Sequence, residues 1–255
     1  MEPQVYRQFY EVQQRHWWFR GRRELVKSLL TGRIHSRGRA LDVGCGAGSN
    51  LGVLQEFSEH VTALDASPLA IELARRENGG VTFVQGDANH LETTFAPESF
   101  DLISIQHVLY HQWVRSVPDV IRQVASLLRP GGVLVVTDPS LKWAVRDHDR
   151  QVMTRERFST REYARWIEAA GLKTTYVGYF NAWSVFPVFI LTFIDRITSW
   201  MRSKAGRQVD EVRLPPAPLN RLFEKFLSFE NAWITHGHRL PFGLSLIAIA
   251  EKRAR

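Results

Sequence analysis

The stretch LDVGCGAGSN, residues 41–50, constrains the fold of this 255-residue chain more than any other. An apolar run leads into three glycines at alternate positions, Gly44, Gly46 and Gly48. Glycine tolerates positive φ and lets the backbone approach a ligand closely. A strand that feeds such a turn and then a helix therefore builds a nucleotide-like site, with helix N-terminal amides facing the ligand. Spacing separates two ligand classes. A dinucleotide fingerprint, G-x-G-x-x-G, needs a third glycine at position 49, which is Ser49. The order here is D-x-G-x-G-x-G, headed by Asp42. A carboxylate there would repel a pyrophosphate but suits a ligand with an ammonium group. The loop points away from NAD.

From residue 40 onward, short apolar runs alternate with helical periodicity, the pattern of βαβ units and a mostly parallel sheet with helices on both faces. The expected strands are 40–43, 61–65, 81–85, 101–106, 133–138, 173–180 and 245–253. Helix signals lie between them. Ser67 and Pro68 open one helix that Gly79 stops, Pro118 opens another, and the turn RPGG (129–132) closes that one. Ser159 and Glu162 form a capping box for a third, which Gly171 ends. Residues 1–32 read as one N-terminal helix. The whole reads as a single α/β domain: a cap helix (1–32), a ligand-binding core (33–180), an insertion between the last two strands (181–243), and a final strand with its tail (244–255).

Composition narrows the setting. One cysteine among 255 residues excludes an internal disulfide and fits a reducing, cytoplasmic compartment. The opening residues show no basic region followed by an apolar run, so no signal peptide is expected. The apolar stretch 182–194 holds Pro187 and is too short to span a bilayer. A net charge of +7 admits an anionic partner, but the arginines scatter, so no nucleic-acid partner is expected. No histidine, cysteine and carboxylate cluster has metal-ligand spacing, and no metal is expected.

Three further signals accompany the glycine loop: Asp65 at the end of the second strand, Asp87 and Ala88 after the third, and RPGG before the fifth. An acid at the end of the second strand can take both hydroxyls of a ribose. In this order the set resembles the class I S-adenosylmethionine-dependent methyltransferases over residues 40–180. FDLISIQHVLYH and LLRPGGVLVVTDP look like that family's fourth and fifth strand segments. HWWFRGRRELV and LPFGLSLIAIAEK look like a bacterial subgroup of small, stand-alone, small-molecule methyltransferases of the type 11/12 kind.

The resemblance implies roles. Gly44, Gly46 and Gly48 would line the methionine part of S-adenosylmethionine, with Asp42 and Cys45 between or ahead of them. Asp65, with Ala66 beside it, would hold the ribose, and Asp87 and Ala88 the adenine. Gln106 would reach the methionine end. Asp42 has a second reading, as a tie that holds the loop together, and Cys45 reads equally as a small buried residue. Trp18 and Arg22 share a helical stripe with Leu25, Val26 and Leu29. That stripe either packs on the sheet or closes over the cofactor, the guanidinium reaching its carboxylate.

Methyl transfer asks the protein mainly for position, because the sulfonium is already an activated leaving group. A hydroxyl acceptor would also use a base, and His107, Tyr110 and His111 after the fourth strand are the candidates, His107 the better placed to face the acceptor and His111 having a structural reading besides. Arg150, Arg155 and Arg157 could hold an acidic acceptor group. The aromatics Phe180, Trp183, Phe186, Phe189 and Phe193 suggest a packed lid, an apolar, ring-bearing or lipid-linked acceptor site, or a surface resting on a membrane. Pro187 and the missing lysine-rich face count against the membrane reading. The leading expectation is transfer to O, N or C of a small molecule, glycan or lipid-linked intermediate. An RNA methyltransferase and a cofactor-binding protein without turnover are the rivals.

Overall fold

A computed structural model describes residues 3–34, 37–143, 153–189 and 214–254. Seven strands form one sheet: β1 (Arg39–Val43), β2 (His60–Asp65), β3 (Val81–Gln85), β4 (Phe100–Gln106), β5 (Leu128–Pro139), β6 (Leu172–Phe180) and β7 (Ser245–Lys252). Their order is 3-2-1-4-5-7-6, and β7 alone runs antiparallel to its neighbours. This is the α/β, Rossmann-like architecture expected of the sequence. The central strands are continuous apolar runs because both faces are covered, and their buried side chains divide between two cores, one on each face.

The helices are α1 (Pro3–Val12), α2 (Trp17–Leu30), α3 (Leu51–Phe57), α4 (Pro68–Arg75), α5 (Leu91–Thr94), α6 (Val117–Leu127), α7 (Thr160–Ala169) and α8 (Ala217–Thr235). Local chemistry sets their ends. Ser67 accepts from the Ala70 amide ahead of Pro68, and Ser116 accepts from the Asp119 amide. The capping box of Ser159 and Glu162 is formed on both sides.

Three expectations need correction. The N-terminal segment is two helices, not one, because residues 13–16 leave the helical path and His16 caps α2 by accepting from the Trp18 amide. RPGG does not end before the fifth strand. It is a bulge inside β5, where the register moves from Leu128 to Val133 while β4 moves only from Phe100 to Leu102. α4 stops at Arg75, short of Gly79, and the positive φ falls on Gly80.

Two elements outside the regular core pack together. Asn231 of α8 donates to the Gly21 carbonyl at 2.8 Å, and Asn220 exchanges bonds with the Trp17 amide and the Arg15 carbonyl. Leu227 sits where a side chain on Gly21 would have to go: a Cβ there would stand 2.3 Å from its Cδ2. Glu230 turns inward and accepts from the amides of Asn181, Ala182 and Trp183, which anchors the chain as it leaves β6. Among the described residues, no helix is long and apolar enough to cross a membrane.

Candidate active site

The carboxyl ends of β1, β2, β4 and β5 open onto a cavity of about 670 Å³. Open α/β sheets place their ligands at this end of the strands. The glycine loop forms its floor. Gly44 and Cys45 donate to the Leu64 carbonyl at 2.7 and 3.0 Å, which locks the loop onto β2. Gly44 has φ +71°, and a Cβ there would meet Val108 at 2.4 Å, so no other residue fits. Gly48 has a different task. Its missing side chain admits Ala74 and Asn78 of the α4 region, and it does not line the cavity. It thus stands outside the cavity lining, unlike Gly44 and Gly46.

Asp65 lies at the cavity wall and accepts from the amides of Gly46 (2.8 Å) and Ser67 (2.9 Å). Burial raises its pKa, while those amides pull it back. Ala66 lies beside it on the same wall. Asp87 and Ala88 line the far end, where Asp87 fixes the turn by accepting from both nitrogens of Asn89. Asp42 is 1% exposed and lies beneath the loop, outside the lining. Burial pushes its carboxyl up to about 7, opposed by a hydrogen bond with Ser104 and by Arg22. Of its two readings, the position fits the tie and not direct contact. Cys45 reaches the lining as a small buried thiol whose pKa burial drives upward. A thiol so held is no nucleophile.

On the opposite wall, the stripe of α2 both packs on the sheet and lines the cavity. Leu25, Val26 and Leu29 of the same stripe are core residues, while Trp18 and Arg22 line the cavity. The Arg22 guanidinium stands 4.6 Å from the Trp18 ring centroid and donates to Asn50 Oδ1 at 3.3 Å. Burial lowers its pKa to about 9, so it stays charged at neutral pH. Gln106 is buried at the end of β4, with Nε2 bonded to Ser104 and Oε1 without a partner.

His107 follows at φ +57°, its amide donating to the Thr137 carbonyl. Its ring meets Trp18 edge-on at 4.8 Å, and Nε2 is buried without a hydrogen-bond partner. Burial first, then Arg22, His111 and Arg157, hold its pKa well below the usual value, so the ring is neutral. His111 lies between Tyr110 and Trp113, stacked on the latter at 4.9 Å, and its backbone bridges to Thr154. Asp138 holds this segment from behind. It accepts from the Tyr163 hydroxyl and faces the amides of Val108, Leu109 and Tyr110.

Several lining residues escaped the sequence reading. Tyr6, Phe9 and Gln13 come from α1 and the turn after it, with Gln13 donating to the Ala47 carbonyl at 2.9 Å. Their spacing is legible as a helical stripe, but nothing in the sequence says that the stripe faces Asp65. From the insertion come Asn181, Ser184 and Val188. Phe186 and Phe189, expected at the acceptor wall, point outward at 72% and 54% exposure. A helical turn from residue 185 puts Ser184 and Val188 on the inner side and those two rings on the outer. Phe180 is core, and Trp183 packs against Trp17, Phe223 and Phe226. Phe193 and Arg150 lie outside the described residues. Arg155 is taken up by the Val114 and Arg115 carbonyls and Glu156, whereas Arg157 lines the cavity and donates to the Ser140 carbonyl at 3.0 Å. Among the described residues, no group of three or more metal-ligating side chains occurs.

A strand order of 3-2-1-4-5-7-6 with a glycine loop after β1 and acids after β2 and β3 defines the class I S-adenosylmethionine-dependent methyltransferases. Residues 41–136 match the family described as "Methyltransferase domain". It is 35% identical over 130 residues to the malonyl-[acyl-carrier protein] O-methyltransferase of Enterobacter lignolyticus, covering 49% of this chain and 50% of that one. It is 36% identical over 148 residues to nodulation protein S of Bradyrhizobium diazoefficiens, covering 56% and 59%. The ubiquinone biosynthesis O-methyltransferase of Methylocella silvestris is 33% identical over 153 residues, covering 52% and 57%. The chain thus spans between half and three-fifths of these relatives. Among solved structures, a SAM-dependent methyltransferase from Archaeoglobus fulgidus aligns with a TM-score of 0.57 at 17% identity, over 90% of this chain and 94% of that one. Phosphoethanolamine N-methyltransferase 2 of Haemonchus contortus, in complex with S-adenosyl-L-methionine, aligns at 0.55 and 17% identity, over 90% and 52%. At such identity these two share the fold.

Proposed function

We propose that the protein moves a methyl group from S-adenosylmethionine to a small-molecule acceptor by in-line displacement. The observation that carries this reading is Asp65, held rigid by two backbone amides at the wall of a cavity whose floor is the glycine loop. In this reading the Asp65 carboxylate takes the ribose hydroxyls, and Asp87 and Ala88 take the adenine. Arg22 takes the carboxylate of the methionine part under the Trp18 ring, and Gln106 Oε1 accepts from its ammonium group. The named relatives are O-methyltransferases in two of three cases, which supports a small organic acceptor.

The chain's contribution to the chemistry is position, exclusion of water and control of charge. The sulfonium and Arg22 already place positive charge here, and a protonated His107 would repel both. Burial keeps that ring neutral, so it retains one lone-pair nitrogen, which we assign to Nε2 as the acceptor for the proton of a hydroxyl or amine. We place the acceptor between His107, Arg157, Ser184 and Val188, and not against Phe186 or Phe189. His111 we assign to fixing the segment between β4 and α6.

Titration calorimetry tests the cofactor half. S-adenosylmethionine should bind in the micromolar range, about −8 kcal/mol, and NAD should not compete. Displacement by NAD at equal concentration would overturn the reading.

A further inference from the structure

The outer face of α8 takes no part in the site, yet it is among the most apolar surfaces of the described residues. Leu219, Leu222, Phe226, Phe229 and Trp233 recur every three or four residues and are all exposed, Phe229 at 74%. That spacing puts them on one stripe. The opposite stripe, Leu227, Glu230, Asn231 and Ile234, is buried and includes the bonds to α2 and to the chain after β6. The exposed stripe is extended sideways by ring contacts. Trp183 stacks on Phe226 at 5.5 Å, and Phe186 and Phe189 stand exposed on the turn that follows. Scattered apolar residues are normal on a surface, but a continuous aromatic stripe marks an interaction face.

Charge decides what covers it. The exposed ionisable residues beside the stripe on α8 are Arg221 and Lys225, and the structure gives neither an ion pair among the described residues. Neither carboxylate of α8 balances them: Glu224 is engaged by Arg20 at 2.9 Å, and Glu230 is buried. Among the described residues, a second copy docking through the same face would set these cations against each other with no acid of α8 to compensate. A helix with Leu, Phe and Trp on its outer face and only basic residues among them suits the interface of an anionic bilayer, rings in the acyl boundary and cations at the headgroups. We infer that α8, with Phe186 and Phe189 beside it, is a peripheral docking face for an anionic lipid surface. The apolar stretch 182–194 lacks a lysine-rich face, whereas Arg221 and Lys225 lie on α8. This inference does not depend on the methyl-transfer reading.

The full chain should sediment with vesicles of phosphatidylglycerol and phosphatidylcholine, weakly with phosphatidylcholine alone, and less as salt rises. The double variant Phe229→Ser with Trp233→Ser should lower the vesicle-bound fraction about tenfold, since two exposed rings supply much of the insertion. Its melting curve by circular dichroism should match the wild type, which reports that it is folded. Arg221→Glu with Lys225→Glu, which leaves every ring in place, should abolish the preference for anionic vesicles. Wild-type protein that stays in the supernatant with both vesicle types would overturn the inference. So would a dimer in analytical ultracentrifugation that the ring variant dissolves, since it would assign the face to a second copy.

Discussion

Asp65 ties the glycine loop together and, in the proposed reading, also holds the cofactor. Its carboxylate closes the loop by accepting from Gly46 and Ser67, and its wall position leaves it available to a ribose. Asp65→Ala should therefore weaken S-adenosylmethionine binding by about 1.5–3 kcal/mol, as the loss of charge-assisted hydrogen bonds would. Calorimetry beside a melting curve separates the cofactor contact from the loop. Wild-type affinity in the variant would misplace the ribose. The residue scale is also where the sequence was most and least legible. Asp65, Asp87 and Gly44 were readable because strand ends and positive-φ turns restrict what can stand there. Gly48 and Asp42 belong to the same motif by spacing, yet one is a packing contact and the other a buried tie. Spacing reveals that a loop exists, but not which of its atoms face inward.

At the scale of elements, α1 and α2 divide work that a single helix was expected to do. α2 is part of the core through Leu25, Val26, Leu29 and Leu30, and it carries α8. α1 contributes Tyr6 and Phe9 to the cavity wall beside Asp65. Removing residues 1–12 should leave the circular dichroism spectrum nearly intact while S-adenosylmethionine affinity falls about tenfold, equivalent to 1.4 kcal/mol. Unchanged affinity would reduce α1 to a bystander. The joint between β6 and α8 makes a separate claim. Glu230→Ala leaves the amides of residues 181–183 without their acceptor and should destabilise the fold by about 1–3 kcal/mol. Urea melts measure this, and a change within error would show that the joint is not held there. The helix boundaries were legible from Ser67, Pro118, Ser159 and Gly171, whose side chains or backbone conformation act locally. The pairing of α8 with α2 was not, because Gly21 and Leu227 are 206 positions apart and neither is unusual alone.

The whole molecule keeps several acids buried at the carboxyl end of its sheet, and its stability should register them. Burial pushes the Asp138 carboxyl up to about 8, from an ordinary value of 3.8, with Tyr163 and three amides pulling it back. Between those values the folded chain holds a proton that the unfolded chain has released. The contribution is fully present below about pH 4, falls as pH rises, and is gone above about 8. Asp138→Asn cannot titrate, so its melting temperature should decline less steeply than the wild type from pH 4 to 8. Parallel slopes would show that Asp138 is ionised in the fold. The architecture was legible at this scale, since alternating strand and helix patterns leave few topologies open, but the acceptor was not. Its cavity wall is assembled from α2, the segment after β4, Arg157 and the insertion, and no sequence motif joins them. The claim that this cavity holds S-adenosylmethionine is tested most directly by a crystal structure with S-adenosylhomocysteine bound. The account predicts ribose hydroxyls within hydrogen-bond distance of Asp65, the amino-acid end at Arg22 and Gln106, and the sulfur facing His107. A ligand seated elsewhere, or with its ribose away from Asp65, would contradict it.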